Sequence, residues 1–507
     1  MQKGKKIAIV GSGCSGLAAF WALKNTDHEV HLFERHHRWG GHTNTVPFKH
    51  GANSVDVDTG FIVMNSATYP NFIAFLNEVG VKTRPTEMTF GVSRDQGLFE
   101  WAGTSLSAVF AQRKNLSSLR MWRMIFDIIR FNQYALDLLG EEEESENDPS
   151  GANGTSEEAR KPVKQQSIGE YLKENSYSEG FKDDYLIPMT ASVWSTSPDK
   201  ASLEFPAITL VRFLWNHHLL NTVAARPTWM TIPGGSKQYI DAILKDVPRE
   251  RLHLNTTVLF VSNSPQGVRL DYLDNRREHF DHVILATHGD TAAAMISSSS
   301  TSEEHHIMSG FQTSRNTAVL HSDLSLMPSR PIAWSSWNYM TTSASPGSQP
   351  TVCLTYSMNI LQHIEREKYG DVLVTLNPLH RPKEDTIQGE WTYHHPLYNA
   401  AAIRSQKMLP SIQNTRGISY AGAWTKYGFH EDGFSSGLKV AVEHLGAKLP
   451  FEFVDSTFSR GRRPHLGWAD YILRFVIQVI QALGMLFGMV SGTLLSTSAH
   501  RHNEKVQ

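Results

Sequence analysis

An α/β protein is predicted: a doubly wound, Rossmann-type nucleotide-binding domain, an inserted α+β domain, and an apolar C-terminal helix. Three observations predict it. Ile7 to Val10, a β-branched run, leads into Gly11-x-Gly13-x-x-Gly16 and then Leu17 to Leu23 at helical spacing. Strand, glycine-turn and helix signals return at 229–290 and again at 410–450. Phe475 to Leu495 carries no charge, and about 21 residues at helical rise span roughly 31 Å, near a bilayer's hydrocarbon thickness.

Taken in order, residues 1–65 hold the first part of the nucleotide-binding domain. Glu29 to Phe33 alternates polar and apolar as a strand does, completing a βαβ unit. Residues 66–228 read as the mainly helical first part of the inserted domain. "NFIAFLNEVGV" has helical spacing and stops at Gly80, and "LRMWRMIFDIIRFNQYALDLL" is a long amphipathic pattern. Within it, the acidic, Ser-, Gly- and Asn-rich stretch 140–166 has too few apolar groups to order itself and reads as a disordered insert. Residues 229–290 return to the first domain, with strands in "RLHLNTTVLFVSN", "GVRLDYL" and "HFDHVILAT". Residues 291–409 form the strand-rich second part of the inserted domain, with a flexible loop at "SSSSTSEE", 297–304. Residues 410–450 close the nucleotide-binding domain, and 451–507 form a tail containing the membrane-anchor candidate 475–495.

Composition narrows the function. The 507 residues carry a formal net charge of −2, so no global field recruits nucleic acid. Cys14 and Cys353 lie far apart and build neither a disulfide framework nor a zinc pattern. His217 and His218 lack a third ligand at useful spacing, so no metal site is expected. The N-terminal apolar run is too short for a signal peptide. In the tail, Gly484, Gly488 and Gly492 suit close helix packing in a membrane. Gln478 and Gln481 on one face suit instead a helix docked on the body. With Arg460, Arg462, Arg463 and Arg474 ahead of it, a spanning tail would leave the body on the cytoplasmic side.

The glycine turn, with Ser15 inside it, places a pyrophosphate at a helix N-terminus, where amides and the helix dipole favour an anion. Glu34 ends the next strand about 20 residues on, where a carboxylate can accept from both ribose hydroxyls and repels a 2′-phosphate. That disfavours NADP. Past Glu34 the pattern exceeds the needs of an NAD site: Arg38 can add charge at a pyrophosphate, and Gly40-Gly41 clears side chains from the path of a long ligand.

Here the chain resembles the flavin-containing amine oxidase superfamily, which includes monoamine oxidases, phytoene desaturases and protoporphyrinogen oxidase. Their pattern continues past the acid as R-x-G-G-R, and this sequence departs from it at His42, where the family has arginine. The resemblance recurs in "VDVDTGFIV", with Asp58 and Gly60, and in "IPGGSKQYIDAI". It recurs in "LNTTVLFV", with Val258 where the family holds adenine through a backbone group. Last comes "YAGAWTKYGFHEDGFSSGLKVA", with Gly422, Asp432 and Gly433 in the flavin-covering motif and Ala423 where an acid is usual. "FPAITLVRFLWNHHLL" and "GFHEDG" are most similar to a branch of NAD/FAD-binding proteins also fused to plant cyclopropane fatty-acid synthases.

The resemblance implies non-covalent FAD, since no Ser-Gly-Gly-Cys pattern occurs. It places Phe429 at one wall of an aromatic cage. His430 and Glu431 follow, either as base and orienter or as flavin hydrogen-bonding and helix-capping groups. Trp194, Phe213, Trp215, Trp229 and Trp424 are candidates for an apolar pocket. The expected activity is hydride transfer to flavin N5 from a hydrophobic, lipid-, polyene- or terpenoid-like substrate. Double-bond isomerisation without net redox change, small-amine oxidation and a non-enzymatic FAD-stabilised scaffold are the alternatives.

Overall fold

The computed structural model describes residues 4–140, 166–194, 203, 205–221, 226–342, 353–456, 460 and 464–483. At its centre, five parallel strands lie in the order Leu252–His253, Glu29–Phe33, Lys6–Val10, His282–Leu285, Ile418–Tyr420. Three separate parts of the chain thus build one sheet.

Strand alternation explains the layers. Ile7, Ile9, Val30, Leu32 and Ile284 enter one core with helices Cys14–Leu23, Pro70–Glu78, Lys237–Leu244 and His430–Leu445. Ala8, Val10, Phe33, Val283 and Leu285 enter another. That second face is covered by an antiparallel sheet, Val258–Ser264, Gly267–Tyr272 and Arg277–Phe280, together with helix Gly289–Ile296. One face of the sheet is therefore wound with helices and the other is largely covered by strands.

A seven-stranded sheet forms the inserted domain, in the order Ile387–Pro396, Thr313–His321, Leu373–Leu376, Cys353–Ser357, Trp337–Thr341, Phe90–Arg94, Phe99–Ala102. Its last two strands correct the helical reading of 66–140. Asp95, Gln96 and Gly97 all take positive φ and turn the chain into a hairpin. Farther along the inserted part, helices Leu119–Tyr134, Ile168–Glu174, Ile187–Trp194 and Ala207–Asn216 surround a core holding Phe131, Phe181 and Phe213.

A second correction falls at 297–304. Helix Ser302–Met308 starts inside the presumed loop, because Thr301 and Glu304 form a capping box. Residues 141–165 of the acidic insert lie outside the described residues, as do 484–495 of the anchor candidate. Residues 468–483 are helical. Among the described residues, no helix is long and apolar enough to cross a membrane.

Candidate functional site

The site is built where two helices begin side by side. A Cβ on Gly433 would sit 2.5 Å from Cys14 Sγ, and one on Gly437 would sit 2.0 Å from the Ser15 carbonyl oxygen. Only glycine lets helix His430–Leu445 approach helix Cys14–Leu23 this closely. Gly433 therefore serves helix packing. The consequence is electrostatic: two positive helix ends lie together at the carboxyl edge of the parallel sheet. Burial pushes the Cys14 thiol up to about 12, so it is no nucleophile.

Around these ends the predicted cradle assembles. Glu34 is buried, and its Oε2 accepts from the Ser12 amide at 3.1 Å and the Ser12 hydroxyl at 2.6 Å. Its Oε1 accepts from the His36 amide at 2.9 Å. The strand leading to Val258 runs beside it, since the Thr256 amide bonds the Glu34 carbonyl. Gly40 and Gly41 both take positive φ, and a Cβ on Gly41 would lie 3.1 Å from Gly13 Cα. Arg38 holds this loop by donating to the carbonyls of Gly41 at 2.7 Å and Thr43 at 3.1 Å. Space above Gly13 is open, with nothing within 4 Å of its Cβ position. Among the described residues, the buried His42 Nε2 and His430 Nε2 have no hydrogen-bond partner. An anion cradle, a ribose carboxylate and orphaned imidazoles facing the same crevice fit FAD.

Asp58 is buried next to this assembly. Its carboxylate accepts from the Thr45 hydroxyl, the Ser236 amide and hydroxyl, and Gln362 Nε2. Protein donors occupy both oxygens, and burial still pushes the acid up to about 6. Asp58 ties the domains together, while Gly60 abuts the His42 backbone, with its Cβ position 2.1 Å from the His42 carbonyl oxygen. Gly422 donates its amide to Ser436 Oγ at 2.9 Å. Asp432 accepts from the Phe429 amide at 2.9 Å, which caps helix His430–Leu445.

The base-and-orienter pairing does not form. Glu431 points away from the crevice and accepts from the amides of Asn71 and Phe72, both at 3.0 Å, at the start of helix Pro70–Glu78. Asn71 Nδ2 and the Ser435 hydroxyl complete its shell. The structure therefore gives Glu431 the work of a helix cap, because four donors reach it first. His430 instead lies flat on Phe61, with ring centroids 3.7 Å apart, and meets Phe72 and Tyr239 edge-on. Burial holds it down to about 3, so it stands neutral.

Phe429 does reach an aromatic wall. It stacks on Phe213 at 5.3 Å and meets His217 at 5.0 Å. Tyr427, Tyr398 and Phe205 continue the series at 5.4–5.6 Å spacings. Of the described aromatics picked from sequence, only Phe213 stands on this wall. Trp424 packs on Phe311 and donates to the Thr287 carbonyl, Trp215 lies under Arg460, and Trp229 pairs in a small sheet. The side chain of Trp194 lies outside the described residues. His217 Nδ1 donates to the Phe213 carbonyl oxygen at 2.9 Å, which fits a core histidine.

Sequence reasoning missed Ser12, Phe61, Asn71 and the run Tyr393-His394-His395-Pro396. Ser12 was readable, lying between the two glycines of the turn. The others depend on partners hundreds of residues away.

Residues 14–445 match the family model described as flavin containing amine oxidoreductase. The chain belongs to that family, and FAD is its cofactor. A Mycobacterium tuberculosis protein assigned as a flavin-containing monoamine oxidase, AofH, is 27% identical over 264 residues, 52% of each chain. The chain thus spans about half the length of the curated relatives it matches. Solved structures share the fold: putrescine oxidase has a TM-score of 0.60 at 16% identity, covering 88% of this chain and 99% of that one. A fatty acid isomerase from P. acnes gives 0.58 at 14%, covering 87% and 99%. Cyclohexylamine oxidase from Brevibacterium oxydans gives 0.57 at 15%, covering 87% and 98%.

Proposed function

We propose that this family member is an FAD-dependent oxidoreductase acting on a hydrophobic substrate of lipid, polyene or terpenoid type. Bound flavin supplies the hydride acceptor. The observation that carries the substrate class is the wall of Phe205, Phe213, His217, Tyr398, Tyr427 and Phe429 beside the start of helix His430–Leu445. None of these groups bears a negative charge to hold an ammonium ion. Burial keeps His217 at about 4, so the wall is neutral near pH 7. Aromatic faces bind apolar chains and exclude water. Anaerobic mixing with candidate polyenes and acyl lipids should bleach the flavin, whereas primary amines should leave it yellow. Bleaching by amines alone would overturn the substrate class. Turnover with the flavin still oxidised would establish isomerisation instead, an activity carried on this fold by the P. acnes enzyme.

We further propose that the protein works at a membrane through its C-terminal segment, with the body in the cytoplasm. Helix 468–483 is turned inside out. Its Asp470 accepts from Gln133, and Arg474 pairs with Asp137. Ile477 is buried, while Trp468, Tyr471, Ile472, Phe475, Ile480 and Leu483 are exposed. A helix facing water presents the opposite pattern, and an apolar face turned outward suits a bilayer surface. Full-length protein should float with liposomes, and Phe475→Glu with Ile480→Glu should abolish flotation. Wild-type protein that stays soluble without detergent would refute this reading.

A further inference from the structure

Four histidines from three elements gather into one cluster. His42 follows the Gly40-Gly41 loop. His288 lies just past strand His282–Leu285, at the N-terminal start of helix Gly289–Ile296. His394 and His395 end strand Ile387–Pro396 of the inserted domain. The His42 ring lies 5.3 Å from His395 and 5.6 Å from His288, and His288 lies 5.9 Å from His394. No group of three His, Cys, Asp or Glu among the described residues has metal-binding geometry, so the cluster is not a metal site.

Hydrogen bonds fix which nitrogen of His395 carries the proton. The Thr317 backbone N–H can only donate, and it donates to Asn377 Oδ1 at 2.9 Å. That orients Asn377, whose Nδ2 then donates to Asn316 Oδ1 at 2.6 Å. Asn316 is oriented in turn, and its Nδ2 donates to His395 Nδ1 at 2.8 Å. A nitrogen that accepts carries no hydrogen in the neutral ring, so the proton sits on Nε2. No described residue accepts from that Nε2. Burial and the neighbouring imidazoles hold His395 and His288 down to about 4, so both rings are neutral near pH 7.

From this arrangement we propose that His395 is a cofactor-binding residue: its Nε2–H, aimed by the Thr317–Asn377–Asn316 relay, donates a hydrogen bond to an oxygen of bound FAD. The inference rests on FAD being the cofactor. Three features place that oxygen on the cofactor. His395 adjoins His42, which follows the Gly40-Gly41 loop. The preceding Gly41 touches the Gly13 turn. His288 lies at the carboxyl edge of the parallel sheet, where nucleotides bind in such folds. The relay matters because a single-tautomer donor cannot turn a lone pair toward an acceptor oxygen. It also lets the inserted domain take part in holding the cofactor.

Two measurements test it without reading turnover. Apo-protein is titrated with FAD, following the quenching of flavin fluorescence. His395→Ala should weaken binding about tenfold or more, and His395→Gln, which keeps an N–H donor, should recover most of that loss. Asn316→Ala, which removes the donor to His395 Nδ1, should weaken binding about threefold. In parallel, proton-nitrogen correlation spectra of histidine-labelled protein should show His395 protonated at Nε2, and Asn316→Ala should mix the tautomers. Unchanged FAD affinity in His395→Ala, or a proton on Nδ1 in the wild type, would overturn the proposal. If His395→Ala does not fold, the glutamine and Asn316 variants decide by the same criteria. Wild-type protein that binds no FAD would instead refute the cofactor assignment itself.

Discussion

Replacing Glu431 by alanine separates a structural carboxylate from a chemical one. Four donors converge on it: the Asn71 and Phe72 amides at 3.0 Å, Asn71 Nδ2 at 2.9 Å and the Ser435 hydroxyl at 2.9 Å. Asn71 Nδ2 and Ser435 Oγ also bond each other at 2.8 Å, so they are partly protected. The two backbone amides are not. They open helix Pro70–Glu78, where first-turn N–H groups have no partner inside the helix. Alanine leaves both buried and unpaired, at about 1–3 kcal/mol each. The cavity left behind adds to this, giving a total of about 3–5 kcal/mol. Urea unfolding followed by tryptophan fluorescence should show the loss as a lowered midpoint. Glutamine keeps one acceptor oxygen and should cost about half as much. An alanine variant of undiminished stability that cannot reduce its flavin would refute this assignment and restore Glu431 as a reacting group.

The same carboxyl is pushed up to about 7 by burial, against the pull of its donors. Its contribution is therefore complete below the ordinary value of 4.5 and is lost as pH rises through 7. Thermal midpoints of the wild type should fall between about pH 5 and 8 relative to those of Glu431→Gln, which lacks the titration. Glu34→Ala should raise the FAD dissociation constant about tenfold or more, since a charge-assisted bond is worth about 1.5–3 kcal/mol; equilibrium dialysis measures it. Gly433→Ala should destabilise by about 1–3 kcal/mol through its clash with Cys14, and adding Cys14→Ala should return most of that loss. Additive losses in that double variant would mean the helices do not meet there.

The legibility of the site follows the range of its contacts. The turn Gly11–Gly16, Glu34 and Gly40-Gly41 were readable because their work is done by nearby backbone: a tight turn, a strand end and a loop folded back on that turn. The hairpin at 90–102 and the helix at 302–308 were also locally encoded, by positive-φ turn residues and a Thr301–Glu304 capping box. Periodicity alone passed over both signals.

What the sequence by itself determined is the nucleotide-binding architecture and the flavin family. Tertiary structure alone decided how the polar groups are used. Glu431 and His430 are adjacent in the chain, and their spacing gives no hint that one caps a helix 360 residues away while the other lies flat on Phe61. The tautomer of His395 depends on Asn316 and Asn377, which reach it only because neighbouring strands come into register. A buried polar side chain takes whichever partner the fold brings within about 3 Å. Local pattern cannot name that partner, because it comes from another part of the chain.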